Sequence, residues 1–190
     1  MTVPVNISVE PAAGPLIDAL ASAIPVIETE RLILRLPRLA DWPALEPIWT
    51  TGRGRFIGGP MTGQDAWLDF SQCVSSWLLR GFGWLTVTRK SDRAVLGLVG
   101  YAQEYGDPEP ELGWLLTEAA EGQGYATEAA RAMLPLGHDL IGPGRFVSYV
   151  DSANRRSRRL AERLGAILDD KPHPLATGCL VYRHHREHRQ

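Results

Sequence analysis

Cysteine is nearly absent from this chain of 190 residues: Cys73 and Cys179 are the only two, and neither belongs to a CxxC pair. That excludes a disulfide framework or a cysteine zinc site and points to free thiols in a reducing compartment. Lysine is equally scarce, with Lys90 and Lys171 set against 18 arginines. No apolar run approaches the ~20 residues that a membrane span needs. No basic residue precedes Arg31, so the positive start of a secretory signal is missing. An excess of one charge is missing too: 20 basic and 22 acidic side chains leave a formal net charge of -2, which gives no reason to expect nucleic acid. These absences describe a soluble, cytoplasmic protein. With 44% apolar residues, a chain of this length builds one core that buries about 70% of its unfolded surface without a metal or a disulfide.

Residues 1–27 are rich in Pro, Ala and Val and read as an extended, partly helical arm. A single domain follows over 28–186, with a basic tail at 187–190. Arg31 to Leu36 is a short apolar run that reads as a strand closed by Pro37, and Asp41-Trp42-Pro43 starts a helix. Four glycines and a proline in Thr51 to Pro60 read as an irregular loop that displays Arg53, Arg55 and Phe56. Trp67, Phe70, Val74, Trp77 and Leu78 recur at helical spacing, which predicts an amphipathic helix over 63–80 ended by Gly81, its tryptophans in the core. Strands are expected at 83–89, 94–104 and 111–116, the first two as a hairpin. A helix from about Tyr125, a strand at 145–150, a helix at 152–164, and strands at 166–168 and 178–184 complete the order. The fold class is α+β: one mixed sheet with a crossover near its middle.

The strongest site signal is Glu121 to Thr127, E-G-Q-G-Y-A-T, between a strand and a helix. The first amides of a helix have no partner within it and lie at the positive end of its dipole, while glycines allow a ligand close to the backbone. A pyrophosphate fits there. A P-loop lysine is missing and Thr127 stands where a third dinucleotide-loop glycine would, so a different phosphate-bearing cofactor is implied.

Three passages together resemble the GNAT superfamily of acetyl-CoA-dependent N-acetyltransferases, and within it the ribosomal-protein alanine N-acetyltransferases, the Rim-type branch. They are E-T-E-R-L-I-L-R at 28–35, E-L-G-W-L-L…E-G-Q-G-Y-A-T-E-A at 111–129, and N-R-R-S-R-R-L-A-E-R-L-G-A at 154–166. The resemblance spans about 26–186. It implies antiparallel N-terminal strands, a central parallel pair that splays apart, and helices on both faces. It further implies that the amides of Glu121, Gly122, Gln123, Gly124, Tyr125, Ala126 and Thr127 hold the pyrophosphate of acetyl-CoA. Trp114, Leu115 and Leu116 would pair with the pantetheine arm, and Asn154 would contact it. Glu121 departs from the family pattern, since a carboxylate beside phosphates is unfavourable unless it points away.

Acetyl transfer to an amine needs a proton acceptor, because an α-amine with a pKa of about 7.7–8.0 and a lysine amine of about 10.4 are both mostly protonated at neutral pH. Glu111 is the candidate base, acting through water, with Glu104 as second choice. A backbone N–H of Leu115 or Leu116 would polarise the thioester oxygen. Many GNAT enzymes protonate the thiolate with a tyrosine, but that position is Ala161, which leaves Ser157 as the candidate acid. The expected acceptor is a primary amine, on a protein N-terminus or a small molecule, bound by Arg53, Arg55, Phe56 and Trp84. Two arginines would favour acceptors that carry carboxylates or phosphates.

Other readings are weaker. H-x-x-E-H at His184 to His188 imitates a metalloprotease pattern, yet only two residues follow it and no helix presents it, so no metal is expected. Ser152, His138 and Asp151 lack a nucleophile elbow. Arg155, Arg156, Arg158, Arg159 and Arg163 could track RNA phosphates, although a solvated face beside the cofactor explains them. A CoA-binding module without catalysis is the alternative function. Monomer and homodimer are both open, since six tryptophans are enough for an apolar dimer patch.

Overall fold

The computed structural model describes residues 14–171, 173 and 177–185. Within the N-terminal arm, α1 (Pro15–Ala23) supplies the expected helical turns. Residues 1–13 and the tail at 187–190 lie outside the described residues. The chain enters the sheet through β1 (Ile27–Glu28), paired antiparallel with β2 (Leu32–Arg35). Two residues carry no periodicity, so β1 leaves no sequence signal. The expected first helix is two short ones, α2 (Trp42–Leu45) and α3 (Pro47–Thr50); Pro47 has no N–H to continue the α2 ladder. Thr51–Pro60 is not wholly irregular, for a 3-10 turn runs over Gly52–Phe56 and the Thr51 hydroxyl accepts from the Arg53 N–H at its start.

Helix α4 (Gly63–Arg80) has the predicted range and is capped by Thr62. An antiparallel meander follows: β3 (Trp84–Arg89), β4 (Val95–Ala102) and β5 (Glu111–Leu116). Helix α5 (Tyr125–Leu140) crosses over to β6 (Val147–Asp151), which runs parallel to β5. Then come α6 (Arg155–Arg163), β7 (Ile167–Leu168) and β8 (Cys179–Arg183), giving one sheet in the order β1-β2-β3-β4-β5-β6-β8-β7 among the described residues.

Strands β3 and β4 are buried almost throughout because both sheet faces are covered. Ala129, Ala130 and Met133 of α5 share one core with Leu85, Val87, Tyr101 and Leu112. Trp42, Trp49 and Phe70 of α2–α4 share another with Leu98 and Ala102. Trp77 is buried as expected, and Trp67 packs edge-on against Trp42 at 5.3 Å. Trp42, Trp49, Trp77 and Trp84 are all buried, so these tryptophans fill the core and do not build a dimer patch.

The functional consequence of the topology lies between β5 and β6. They share a single register pair, Glu111 with Val147, where the Val147 N–H reaches the Pro110 carbonyl at 3.0 Å. Beyond it the two strands no longer pair, and a cleft opens inside the sheet.

Candidate active site

At the wide end of the cleft, α5 begins without a side-chain cap, and Gly122 and Gly124 take φ of 74° and 80°. Left-handed backbone of this kind costs about 1–2 kcal/mol for residues with a Cβ, so glycine is required in the loop. The first α5 hydrogen bond runs from the Glu128 N–H to the Gly124 carbonyl, which leaves the amides of Tyr125, Ala126 and Thr127 without helical acceptors, as an anion site requires.

The motif at 28–31 holds this helix end in place. Glu128 accepts from Thr29 Oγ1 at 2.5 Å, from the Arg31 N–H at 3.0 Å and from Arg31 Nε at 2.7 Å. Arg31 also donates to the Gln123 carbonyl at 3.1 Å and lies over the Tyr125 ring at 4.6 Å. Two of the three sequence passages that carry the family resemblance are therefore one structural unit.

Along the cleft, pairing parity decides which backbone groups are accessible. The Thr117 N–H bonds to the Leu96 carbonyl, and with the β4–β5 register this directs the N–H and C=O of Leu115 and Gly113 to β4. Leu115 therefore cannot polarise a thioester in the cleft; Trp114 and Leu116 face it. Gly113 is needed for another reason, since a Cβ there would meet Trp84 Cη2 at 2.4 Å. Trp84, expected at the acceptor site, is 8% exposed: it is a core residue lying across Gly113 that also borders the cavity.

Across the cleft, Trp114 Nε1 donates to Ser157 Oγ at 3.2 Å, which leaves the serine's own proton available for donation. Asn154 caps α6, its Oδ1 accepting the Ser157 N–H at 3.2 Å, and its side chain borders the same cavity.

Arg53 borders the cavity, held by partners of its own. It donates to the Leu116 carbonyl at 2.7 Å and to Glu121 at 2.6 Å, while Arg156 pairs with the other Glu121 oxygen. Burial alone would raise the Glu121 carboxyl, but the two arginines outweigh it and hold the group below the usual carboxylate range. The misfit seen in the sequence is thus resolved by two cations that the spacing did not reveal. Arg53 Nε is buried without a hydrogen-bond partner among the described residues. That orphaned donor, the uncapped α5 terminus and the open β5 edge fit an extended, phosphate-bearing cofactor. Arg55 lies on the Phe56 ring at 4.6 Å and donates to the Gly52 carbonyl.

The narrow end is acidic. Asp69, Glu104, Asp107 and Glu111 border the cavity with Cys73, Tyr149 and His173. Burial, then the neighbouring Asp107 and Glu104, push Glu111 up to about 8 against the opposing pull of the Tyr149 N–H. Burial followed by Asp69 and Asp107 raises Glu104. Burial also raises Asp69, whose carboxylate accepts from Trp49 Nε1. No Lys or Arg ion pair involves Asp69, Glu104 or Glu111 among the described residues. The arginines bordering the cavity come from the turn before β2, the Thr51–Pro60 loop, α5 and α6. The cavity thus holds both an acidic cluster around Glu111 and a set of arginines. Asp69 and Asp107 had no motif to mark them; only the fold brings Asp107 near Glu111 and Asp69 near Glu104.

The rejected motifs are dispersed. Asp151 accepts the Ala153 N–H, whereas His138 packs on Phe146 at 5.2 Å. His184 is 1% exposed, and the remainder of its H-x-x-E-H pattern reaches beyond the described residues. Of the α6 arginines, Arg156 pairs with Glu121, Arg158 donates to the Ser152 carbonyl and Arg163 to Thr127.

The model of the acetyltransferase (GNAT) domain family matches residues 31–167. A crystal structure of an acetyltransferase from Agrobacterium tumefaciens str. C58 is 37% identical, covers 86% of this chain and 95% of its own, and superposes with a TM-score of 0.81. YnaD of Bacillus subtilis (strain 168), named an uncharacterized N-acetyltransferase, is 24% identical over 141 residues, 73% of this chain and 81% of that protein. RimL, a ribosomal L7/L12 alpha-N-protein acetyltransferase solved with coenzyme A, shares the fold at 16% identity and a TM-score of 0.64, covering 84% of this chain and 96% of its own. No described helix is long and apolar enough to cross a membrane. The chain belongs to the GNAT acetyltransferase family and is an acetyl-CoA-dependent enzyme.

Proposed function

We propose that the chain acetylates a primary amine that carries a second positive charge, with Glu111 as general base and Ser157 as the acid that protonates the leaving sulfur. Acetyl-CoA supplies the activated acyl group. The amides of Gly122 to Thr127 bind its pyrophosphate, Trp114 and Leu116 present backbone to its arm, and Asn154 supports the far wall. Glu111 carries this reading: it sits at the vertex of the cleft, in the same cavity as Ser157, with its pKa pushed up to about 8. Such a base is matched to an α-amine of about 7.7–8.0, so the proton moves with little free-energy change. Ser157 Oγ already accepts the Trp114 indole, which directs its proton elsewhere.

Asp69, Glu104 and Asp107 argue for the second charge, since a cation there meets carboxylates that repel one another in its absence. A short diamine supplies that charge, as does a protein N-terminus followed by a basic residue. The fold shared with RimL supports the second source, a Rim-type acceptor.

Calorimetric titration with acetyl-CoA, with CoA and ATP as controls, on wild type and Gly124→Glu, comes first; binding is expected in wild type and lost in the variant. An acceptor panel of monoamines, diamines and peptides with a basic or acidic second residue then follows acetylation by mass. Turnover of the dicationic members above the rest is the expected result. Preference for the acidic peptide would overturn the charge assignment, and absence of acetyl-CoA binding would overturn the site.

A further inference from the structure

The vertex of the cleft is closed by side chains. A parallel ladder continuing past Glu111 and Val147 would set the Tyr149 N–H against the Leu112 carbonyl. Instead that carbonyl accepts from Ser148 Oγ at 2.6 Å, and the Tyr149 N–H turns to the Glu111 carboxyl. Ser148 Oγ lies 2.9 Å from His184 Nε2. Because the hydroxyl proton goes to Leu112, the oxygen accepts, and His184 is the tautomer protonated at Nε2. The imidazole lies flat on Phe146, 5.3 Å between centroids. Ser148 and His184 are each 1% exposed, and His184 Nδ1 has no partner among the described residues. An unpaired buried nitrogen is destabilising, and a phenylalanine would stack on Phe146 without one. Packing alone therefore does not account for the histidine.

The open edge of β5 offers three equivalent carbonyls, those of Leu112, Trp114 and Leu116, spaced by about 6.6 Å, two strand residues. Ser148 caps the first at 2.6 Å and Arg53 the last at 2.7 Å, so among the described residues only Trp114 is left uncapped. We propose that Ser148, its hydroxyl oriented by His184, is a positioning residue that stops the cofactor's arm at Trp114 and so sets the thioester beside Glu111. Without the cap an amide of the arm can pair one step deeper, a shift of about 6.6 Å that carries the acyl carbon past the base. This rests on the reading of the β5–β6 cleft as the cofactor's seat.

The test is carbon-13 NMR of acetyl-CoA labelled at the carbonyl, with calorimetric Kd values, on wild type, Ser148→Ala, Ser148→Thr and His184→Phe. Wild type and Ser148→Thr are expected to give one common bound resonance. Ser148→Ala is expected to keep Kd within about threefold, well under the tenfold that 1.4 kcal/mol would produce, while its resonance moves or splits. His184→Phe keeps the stacked ring but frees the hydroxyl to rotate, and is expected to split the resonance even if Ser148→Ala fails to fold. An unmoved resonance in the folded variants, or a Ser148→Thr resonance displaced from that of wild type, overturns the stop and leaves the cofactor site intact. Absence of binding by wild type overturns both.

Discussion

Arg53 Nη2 lies 2.6 Å from Glu121 Oε1 and 2.7 Å from the Leu116 carbonyl, so one guanidinium joins the Thr51–Pro60 loop to the Glu121–Thr127 loop and the end of β5. Without it, Glu121 confronts incoming phosphates with only the exposed Arg156 as counter-ion. Arg53→Ala should weaken acetyl-CoA binding about tenfold, the effect of roughly 1.4 kcal/mol. Arg53→Ala with Glu121→Gln should recover most of that loss, because the repelling carboxylate is gone. Calorimetry on the two single variants and the double variant checks the coupling; a double variant as weak as Arg53→Ala would show that Glu121 exerts no such repulsion.

Glu111 must be ionised to accept a proton, and its raised pKa places that ionisation near pH 8. The expected kcat/KM profile rises through a limb near pH 8, and Glu111→Gln should lower kcat by about 10²–10⁴ and abolish the limb. A limb that survives in Glu111→Gln belongs to another group. Stability carries the same signature with a definite sign. The folded state holds this proton to higher pH than the unfolded one, so the contribution of Glu111 is fully present below its unfolded pKa and is lost as pH rises through about 8. Urea midpoints of wild type and Glu111→Gln should diverge in favour of the variant as pH rises from about 4.5 to about 8 and stay a constant distance apart above that.

Much of this arrangement is legible in the sequence because it is local. Residues 63–80 have an unbroken helical period and Gly81 to end it, and Glu111 to Leu116 is a strand bounded as expected. The phosphate loop announces itself by glycines between a strand and a helix. What stays hidden is set by pairing between distant segments. The backbone of Leu115 is lost to the cleft only because Thr117 pairs with Leu96, a parity that no spacing within β5 encodes. Arg53 and Glu121 are 68 residues apart, and nothing in either neighbourhood signals the other. Asp69 on a helix face and Asp107 in a loop look like solvated acids until the fold sets Asp69 near Glu104 and Asp107 near Glu111.

The acidic end of the cavity makes a graded prediction about the acceptor. Neutralising Glu104 with Gln, or Asp69 with Asn, removes one carboxylate near the second ammonium. Glu104 is exposed, so solvent screening limits the loss to about 1 kcal/mol, roughly fivefold in the KM of a diamine. The KM of a monoamine of the same length should hardly change. Equal effects on both acceptors would mean that the carboxylates act on the reacting amine itself, and the second charge would not be recognised there.

Glu128 ties the first turn of α5 to the turn between β1 and β2, and its ionisation is measurable through stability. Burial raises its carboxyl, but the hydrogen bonds from Thr29 and Arg31 and the Arg31 charge outweigh burial and leave it below the usual range. A depressed carboxylate contributes stability that is present above its unfolded pKa and lost as pH falls through the folded value. Glu128→Gln keeps the shape but offers Arg31 one neutral acceptor in place of a carboxylate. It should therefore be less stable than wild type by about 1–2 kcal/mol at pH 7, the range of a charged hydrogen bond partly open to solvent. The difference should begin to shrink as pH falls below the ordinary glutamate value of about 4.3 and vanish only below the lowered folded value. Because the same contact orients the amides of Tyr125 to Thr127, acetyl-CoA affinity should fall with it at neutral pH. Denaturation midpoints and calorimetric Kd values that change independently of each other would separate the clamp from the cofactor loop.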